Sequence, residues 1–190
     1  RFVDGMSAAK SENPEEDVFS RFNTNLKIGY EVNDAFQITA FGSYDKFKTD
    51  IDGFPPPNFT IADTDGKYIS EQTRFGLVPK FEYKNGSFQL NAAFTKINRE
   101  TISDFSTVNE AESIVLDVFN KYVFNDKFYT IVGVNYGDYK SLFTTDESFT
   151  NTDPYLNVVY VSDYGLNLNA GTRLNNHSEY GSQFVYSLNP

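Results

Sequence analysis

The stretch RFNTNLKIGYEVNDAFQITAFGSYD (Arg21–Asp45) decides the fold. From Arg21 to Val32 the even positions read Phe22, Thr24, Leu26, Ile28, Tyr30 and Val32. The odd positions read Arg21, Asn23, Asn25, Lys27, Gly29 and Glu31. Period-two alternation of this kind belongs to a strand with one oily and one wet face. Asn33-Asp34 makes a tight turn, and Phe36, Ile38, Ala40, Gly42 and Tyr44 then alternate with Gln37, Thr39, Ser43 and Asp45. Two such runs joined by two residues predict a β-hairpin.

The unit recurs. Thr73, Phe75, Leu77, Pro79, Phe81 and Tyr83 form an apolar set, which turns at 84–87 into Phe88, Leu90, Ala92 and Phe94. A third pair runs from about Ser113 to Phe124, turns at 125–127 and returns through Phe128, Thr130, Val132, Val134 and Tyr136. A fourth carries Leu156, Val158 and Tyr160, turns near 162–165 and returns through Leu166, Leu168, Ala170 and Thr172. Phe184, Tyr186 and Leu188 begin a ninth strand. Pro79 is discordant within a fully paired strand, since it has no N–H to donate.

Four short turns, at 33–34, 84–87, 125–127 and 162–165, alternate with long polar segments expected to be loops at about 1–20, 46–70, 97–111 and 138–153. Soluble sandwiches mix their loop lengths, whereas outer-membrane barrels place short turns on the periplasmic rim and long loops outside. Aromatic residues flank the short turns: Tyr30 and Phe36, Tyr83 and Phe88, Phe124 and Phe128, and Tyr160. Rings in that position suit a membrane interface. At about 3.3 Å per residue and a tilt near 40°, Phe36 to Tyr44 spans roughly 20 Å of height. The expectation is an all-β antiparallel up-and-down meander of 8–9 amphipathic strands, part of a transmembrane β-barrel that occupies residues 1–190.

Composition agrees. The 190 residues hold 19 Phe and 13 Tyr but no Trp and no Cys, yet mean hydropathy is only -0.46. The apolar residues are therefore interleaved with polar ones. A net charge of -10 repels phosphate, which argues against a nucleic-acid partner. No segment approaches the roughly 20 apolar residues of a membrane helix, as expected where strands carry the signal. The chain opens at Arg1 without a signal peptide and stops at Pro190 inside a resumed pattern, so it is expected to be a piece of a longer barrel protein.

Acidic residues gather in the segment expected to be an outer loop: Asp50, Asp52, Asp63 and Asp65. Closely spaced carboxylates on a flexible loop suit Ca²⁺, which takes about 6–8 oxygen ligands, and a solvated acidic loop is the plainer reading. His177 is the single histidine and there is no cysteine, so neither a zinc site nor a His- or Cys-based nucleophilic triad is expected. Arg173 and Lys27 fall on the wet face, where ion pairing inside a channel is the natural role. No enzyme is expected.

The stretch LNLNAGTRLNNHSEYGSQFVYSLNP (Leu166–Pro190) resembles a barrel segment of TonB-dependent receptors. Gly171, Arg173, His177, Ser178, Glu179, Tyr180, Gly181, Asn189 and Pro190 fit its Gly-x-Arg strand end, His-Ser-Glu-aromatic-Gly loop and Asn-Pro return. Asn175 departs from the usual Asp. Asp4–Asp34 is similar to a loop and strand of cobalamin-receptor-type members. The resemblance implies a barrel of about twenty-two strands around a plug, an outer-membrane location, and a scarce nutrient such as cobalamin or a siderophore as cargo. It also implies that Asp50 or Asp52 and Asp63 lie near calcium positions. TonB would be met only through a plug that has no counterpart in this sequence. Lipid and a small ligand at the outer loops would be the remaining partners. The readings to be separated from this are a small self-contained barrel serving as anchor or passive pore, and a soluble β-sheet binding module or adhesin.

Overall fold

The computed structural model describes residues 2–4, 17–143 and 145–190, with the side chains of residues 2–4 left aside. All regular structure in these residues is strand: β1 (Phe2–Asp4), β2 (Val18–Asn33), β3 (Phe36–Gly53), β4 (Ala62–Tyr83), β5 (Gly86–Ile102), β6 (Thr107–Asn125), β7 (Phe128–Leu142), β8 (Asp146–Val161), β9 (Asn167–His177) and β10 (Gly181–Asn189). They form one antiparallel sheet in sequence order, an up-and-down meander that does not close on itself.

Alternation fixes the two faces. Tyr30 pairs with Ile38, Ile38 with Pro79, and Leu90 with Val118. Val118 in turn pairs with Val134, Val134 with Pro154, and Leu174 with Phe184. Directly opposed residues share a face, so the apolar sets of nine strands make one continuous surface. The β4–β5 ladder runs Leu77↔Ala92 and resumes at Lys80↔Gln89, leaving Val78 and Pro79 unpaired on that side. The missing proline donor explains the gap, and the same register resumes beyond it.

The strands are longer than the alternation suggests. The expected loop 46–70 shrinks to a connection at 54–61, because β3 runs to Gly53 and β4 starts at Ala62. Likewise 97–111 shrinks to 103–106 and 138–153 to 143–145. Of the expected loop 1–20, Val18–Ser20 belongs to β2, Phe2–Asp4 pairs with it, and 5–16 lie outside the described residues. The physical reason is that polar residues take over the side that is oily below, Lys46, Lys48, Asp50 and Asp52 in β3, while Phe47 and Ile51 lie on the other. The apolar set of the lower strands therefore breaks off there, but the backbone ladder continues.

Register sets the tilt. Ala35, in the first turn, accepts from the Glu82 N–H at 2.7 Å, two residues before the second turn at 84–85. Asn85 accepts from Val123, three residues before the turn at 126–127. Lys127 accepts from Val161, two before the turn at 163–164. Each step crosses two strands, so the stagger is about one to one and a half residues per strand. With about 3.3 Å per residue and about 4.8 Å between strands, turns set level with one another require a strand tilt near 40°. Barrel walls have that tilt.

Candidate functional site: the two faces of the sheet

Leu26 is 64% exposed, Ile28 57% and Tyr30 68%, and Phe75, Leu77, Phe88, Val118, Val132 and Phe184 on the same face are also exposed. A soluble sheet would bury these side chains, at roughly 25 cal/mol per Å² of apolar surface. Here the apolar face has no second layer in the described chain.

Aromatic rings bound this face at two heights. Near the short turns Tyr83 meets Phe88 at 5.9 Å, Tyr122 meets Phe124 at 4.7 Å, and Phe124 meets Phe128 at 5.0 Å between ring centroids. About three turns of the pleat higher stand Tyr44, Phe75, Phe94 and Tyr136. Phe75 and Phe94 are register partners with centroids 5.0 Å apart, and Tyr44 lies 6.2 Å from Phe22. Immediately above this upper belt the same face turns ionic. Lys46 pairs with Glu71 at 2.5 Å, and Lys96 with Glu112 at 2.9 Å and Glu110 at 3.3 Å. Sequence alternation locates the lower belt. The upper belt and the collar emerge only when register sets residues of different strands at one level.

The opposite face is polar and internally bonded. Asp45 takes the Arg21 guanidinium at 2.8 Å and the Asn23 amide at 2.7 Å. Asp117 accepts from Tyr155 at 2.9 Å and from Asn91 at 3.3 Å, and Gln89 donates to Asn91. Asp153, only 5% exposed, is held by Arg173 at 2.6 Å and by the Asn176 N–H at 2.9 Å. Arg173 thus takes the ion-pairing role its position on the wet face predicts. Glycines admit large rings on this face. A Cβ on Gly76 would collide with the Ala92 carbonyl and lie 2.5 Å from Phe41 Cζ, and one on Gly133 would lie 2.6 Å from the Tyr155 ring.

The four candidate calcium ligands do not sit on a flexible loop. Asp50 and Asp52 are in β3 and Asp63 and Asp65 in β4, with Asp50 opposite Lys67 and accepting from the Val18 N–H at 3.2 Å. A register shift between Ile51 and Gly53 separates the pairs Ile51↔Gly66 and Gly53↔Ala62. Among the described residues, no three carboxylate, histidine or cysteine side chains come together as a metal group. The pairing of β3 with β4 holds these residues in strands, where a loop was expected to gather them. What the arrangement does produce is crowded negative charge. Partial burial, and then the fields of Asp52, Asp50 and Asp63, raise the Asp17 carboxyl above its ordinary value.

His177, whose expected role is that of a polar loop residue, joins a run of rings toward the end of the sheet away from the short turns. Its Nδ1 also accepts from the Glu179 N–H at 3.0 Å, which ties the β9–β10 turn. Compared with known proteins, the chain matches no family model and no curated sequence.

Proposed function

We propose that the chain is a section of the wall of a bacterial outer-membrane β-barrel. The carrying observation is the exposed apolar band, level across the strands, between two aromatic belts and under an ionic collar. A lipid-facing wall has this profile, with polar lumenal residues alternating behind it. On the Leu166–Pro190 resemblance, the barrel is that of a TonB-dependent receptor that imports a scarce nutrient of the cobalamin or siderophore class. The wall's role is then to span the bilayer, line the channel and carry the outer rim where ligand is gathered. It has no catalytic role.

Partition tests the wall. The chain should aggregate in buffer and recover β-structure in detergent micelles or lipid vesicles. A monomer that stays folded in buffer without amphiphile would overturn the reading in favour of a soluble sheet. The receptor assignment is tested by deleting the complete reading frame in its host. Growth on limiting cobalamin or siderophore-bound iron should fall, and the loss should match that of a strain without TonB. Unchanged growth, together with steady passive conductance of the chain alone in a planar bilayer, would replace the receptor by a small pore.

A further inference from the structure

Near the outer rim, on the polar face, six side chains fall in one row across the sheet: Thr95, Ser113, Tyr139, Phe149, His177 and Tyr180. Thr95 pairs with Ser113, Ser113 with Tyr139, and Tyr139 with Phe149. Four of the six are rings in successive contact. Tyr139 and Phe149 stack at 4.9 Å and 21°, and Phe149 and His177 at 4.7 Å and 17°. His177 and Tyr180 meet at 4.7 Å and 41°. The row is set by strand spacing, which at about 4.8 Å leaves room for one ring per strand.

The rings stop at Tyr139. In the next two places stand Ser113 and Thr95, both small and hydroxylated. The space they leave is a cavity of about 350 Å³, walled by Tyr139 and Phe149 and reaching Ile97, Ala111 and Glu147. Its size lies at the small end of ligand pockets, about 300–1,000 Å³, and its lining combines apolar walls with a few polar groups, as such pockets do.

We infer that this cavity is a subsite for one neutral sugar ring. This inference rests on the proposed wall only in assigning the polar face to the channel. An aromatic face is electron-rich and attracts the weakly positive C–H face of a pyranose, as it attracts the edge of another ring. The row ends on such a side chain, and its ordinary continuation by a further ring is missing. Ser113 and Thr95 supply hydroxyls and Glu147 a strong acceptor for the sugar hydroxyls. Glu112 and Glu147 outnumber Lys140 in the lining, and with a net charge of -10 they disfavour anionic ligands. A neutral polyhydroxylated ring satisfies all of these features together.

The test uses the chain folded in a zwitterionic detergent, so that no sugar headgroup competes, and titrated with a neutral gluco-oligosaccharide by calorimetry. Saturable binding at about millimolar strength is expected. Ser113→Phe should extend the ring row into the vacancy and weaken binding about tenfold or more, with β-structure unchanged. Tyr139→Phe should bind as the parent does, and Tyr139→Ala should not bind. No heat from the parent chain, or equal affinity in Ser113→Phe, would overturn the subsite. So would selective uptake of a planar aromatic compound in place of the sugar. These outcomes leave the wall untouched, because the wall is decided by folding with and without amphiphile.

Discussion

β3, β4 and β5 each divide into two regions. In the lower region, near the short turns, one face is apolar and exposed and the other polar. In the upper region, above Lys46, Glu71 and Lys96, the side that is oily below becomes largely charged and the other side carries Phe47, Ile51 and Tyr68, yet the ladder continues to Ile51↔Gly66 and Lys67↔Ile102. The same backbone pairing is thus dressed for two surroundings. Hydrogen bonding between strands holds the sheet in both regions. Side-chain pattern reports only what each region faces, and the ionic collar marks the border.

The sharpest way to break this comparison is to put a charge in each region. Leu77, 51% exposed in the middle of the band, should tolerate arginine poorly. In a lipid vesicle, Leu77→Arg is expected to cost about 2–4 kcal/mol, the range for a cation near the midplane on a lipid-facing strand. Glu100→Arg, in the exposed upper part of β5, should stay within about 0.5 kcal/mol, as surface substitutions do. Urea unfolding in vesicles measures both. Equal costs in the two variants would erase the distinction between the regions.

A second, smaller effect tests the polar face of the lower region. Phe41 lies over Gly76, and Arg74 sits 5.4 Å from the centre of the Phe41 ring. Gly76→Ala would push a methyl against the Ala92 carbonyl and the ring at once, and the carbonyl cannot move without disturbing the ladder. Overpacking of this kind costs about 1–3 kcal/mol. Gly29→Ala is the control, since its Cβ would meet only Thr39 Oγ1 at an ordinary 3.8 Å. A Gly76→Ala variant as stable as Gly29→Ala would show that the ring packs elsewhere.

How much of this was legible follows from the same division. Phe22–Val32 and Phe36–Tyr44 announce their strands because a boundary between oil and water imposes period two. Asp50, Asp52, Asp63 and Asp65 read as loop because the apolar set of the lower strands gives way to charge above Tyr44, and strand pairing between distant residues leaves no local mark. The upper belt of Tyr44, Phe75, Phe94 and Tyr136 was visible residue by residue but not as a level, since level depends on register between strands. His177 reads alone because its ring partner Phe149 comes from another strand, and Tyr180, three residues on, shows its contact only once the turn is folded. Arg173, by contrast, was placed from strand parity, which is local.

The smallest expected effect lies at the far end of the upper region, where Asp17 faces the fields of Asp52, Asp50 and Asp63. Burial and these neighbouring carboxylates raise its folded-state carboxyl above the ordinary value, so the folded tip holds its proton more tightly than the unfolded chain does. A group raised in this way contributes stability that is fully present below its unfolded value and lost as pH rises through its folded value. The junction of Val18–Ser20 with Lys48–Asp50 should therefore be tighter near pH 4 than near pH 7. Hydrogen-exchange protection of those amides, corrected for intrinsic rates, measures the change. Asp17→Asn should abolish most of it and leave the tip as protected at neutral pH as the parent is in acid. The lower region should show no such dependence in either chain. A tip that loosens on acidification would mean that carboxylates there act as hydrogen-bond acceptors more than as mutual repellers, with Asp50 and its bond from the Val18 N–H the first group to examine.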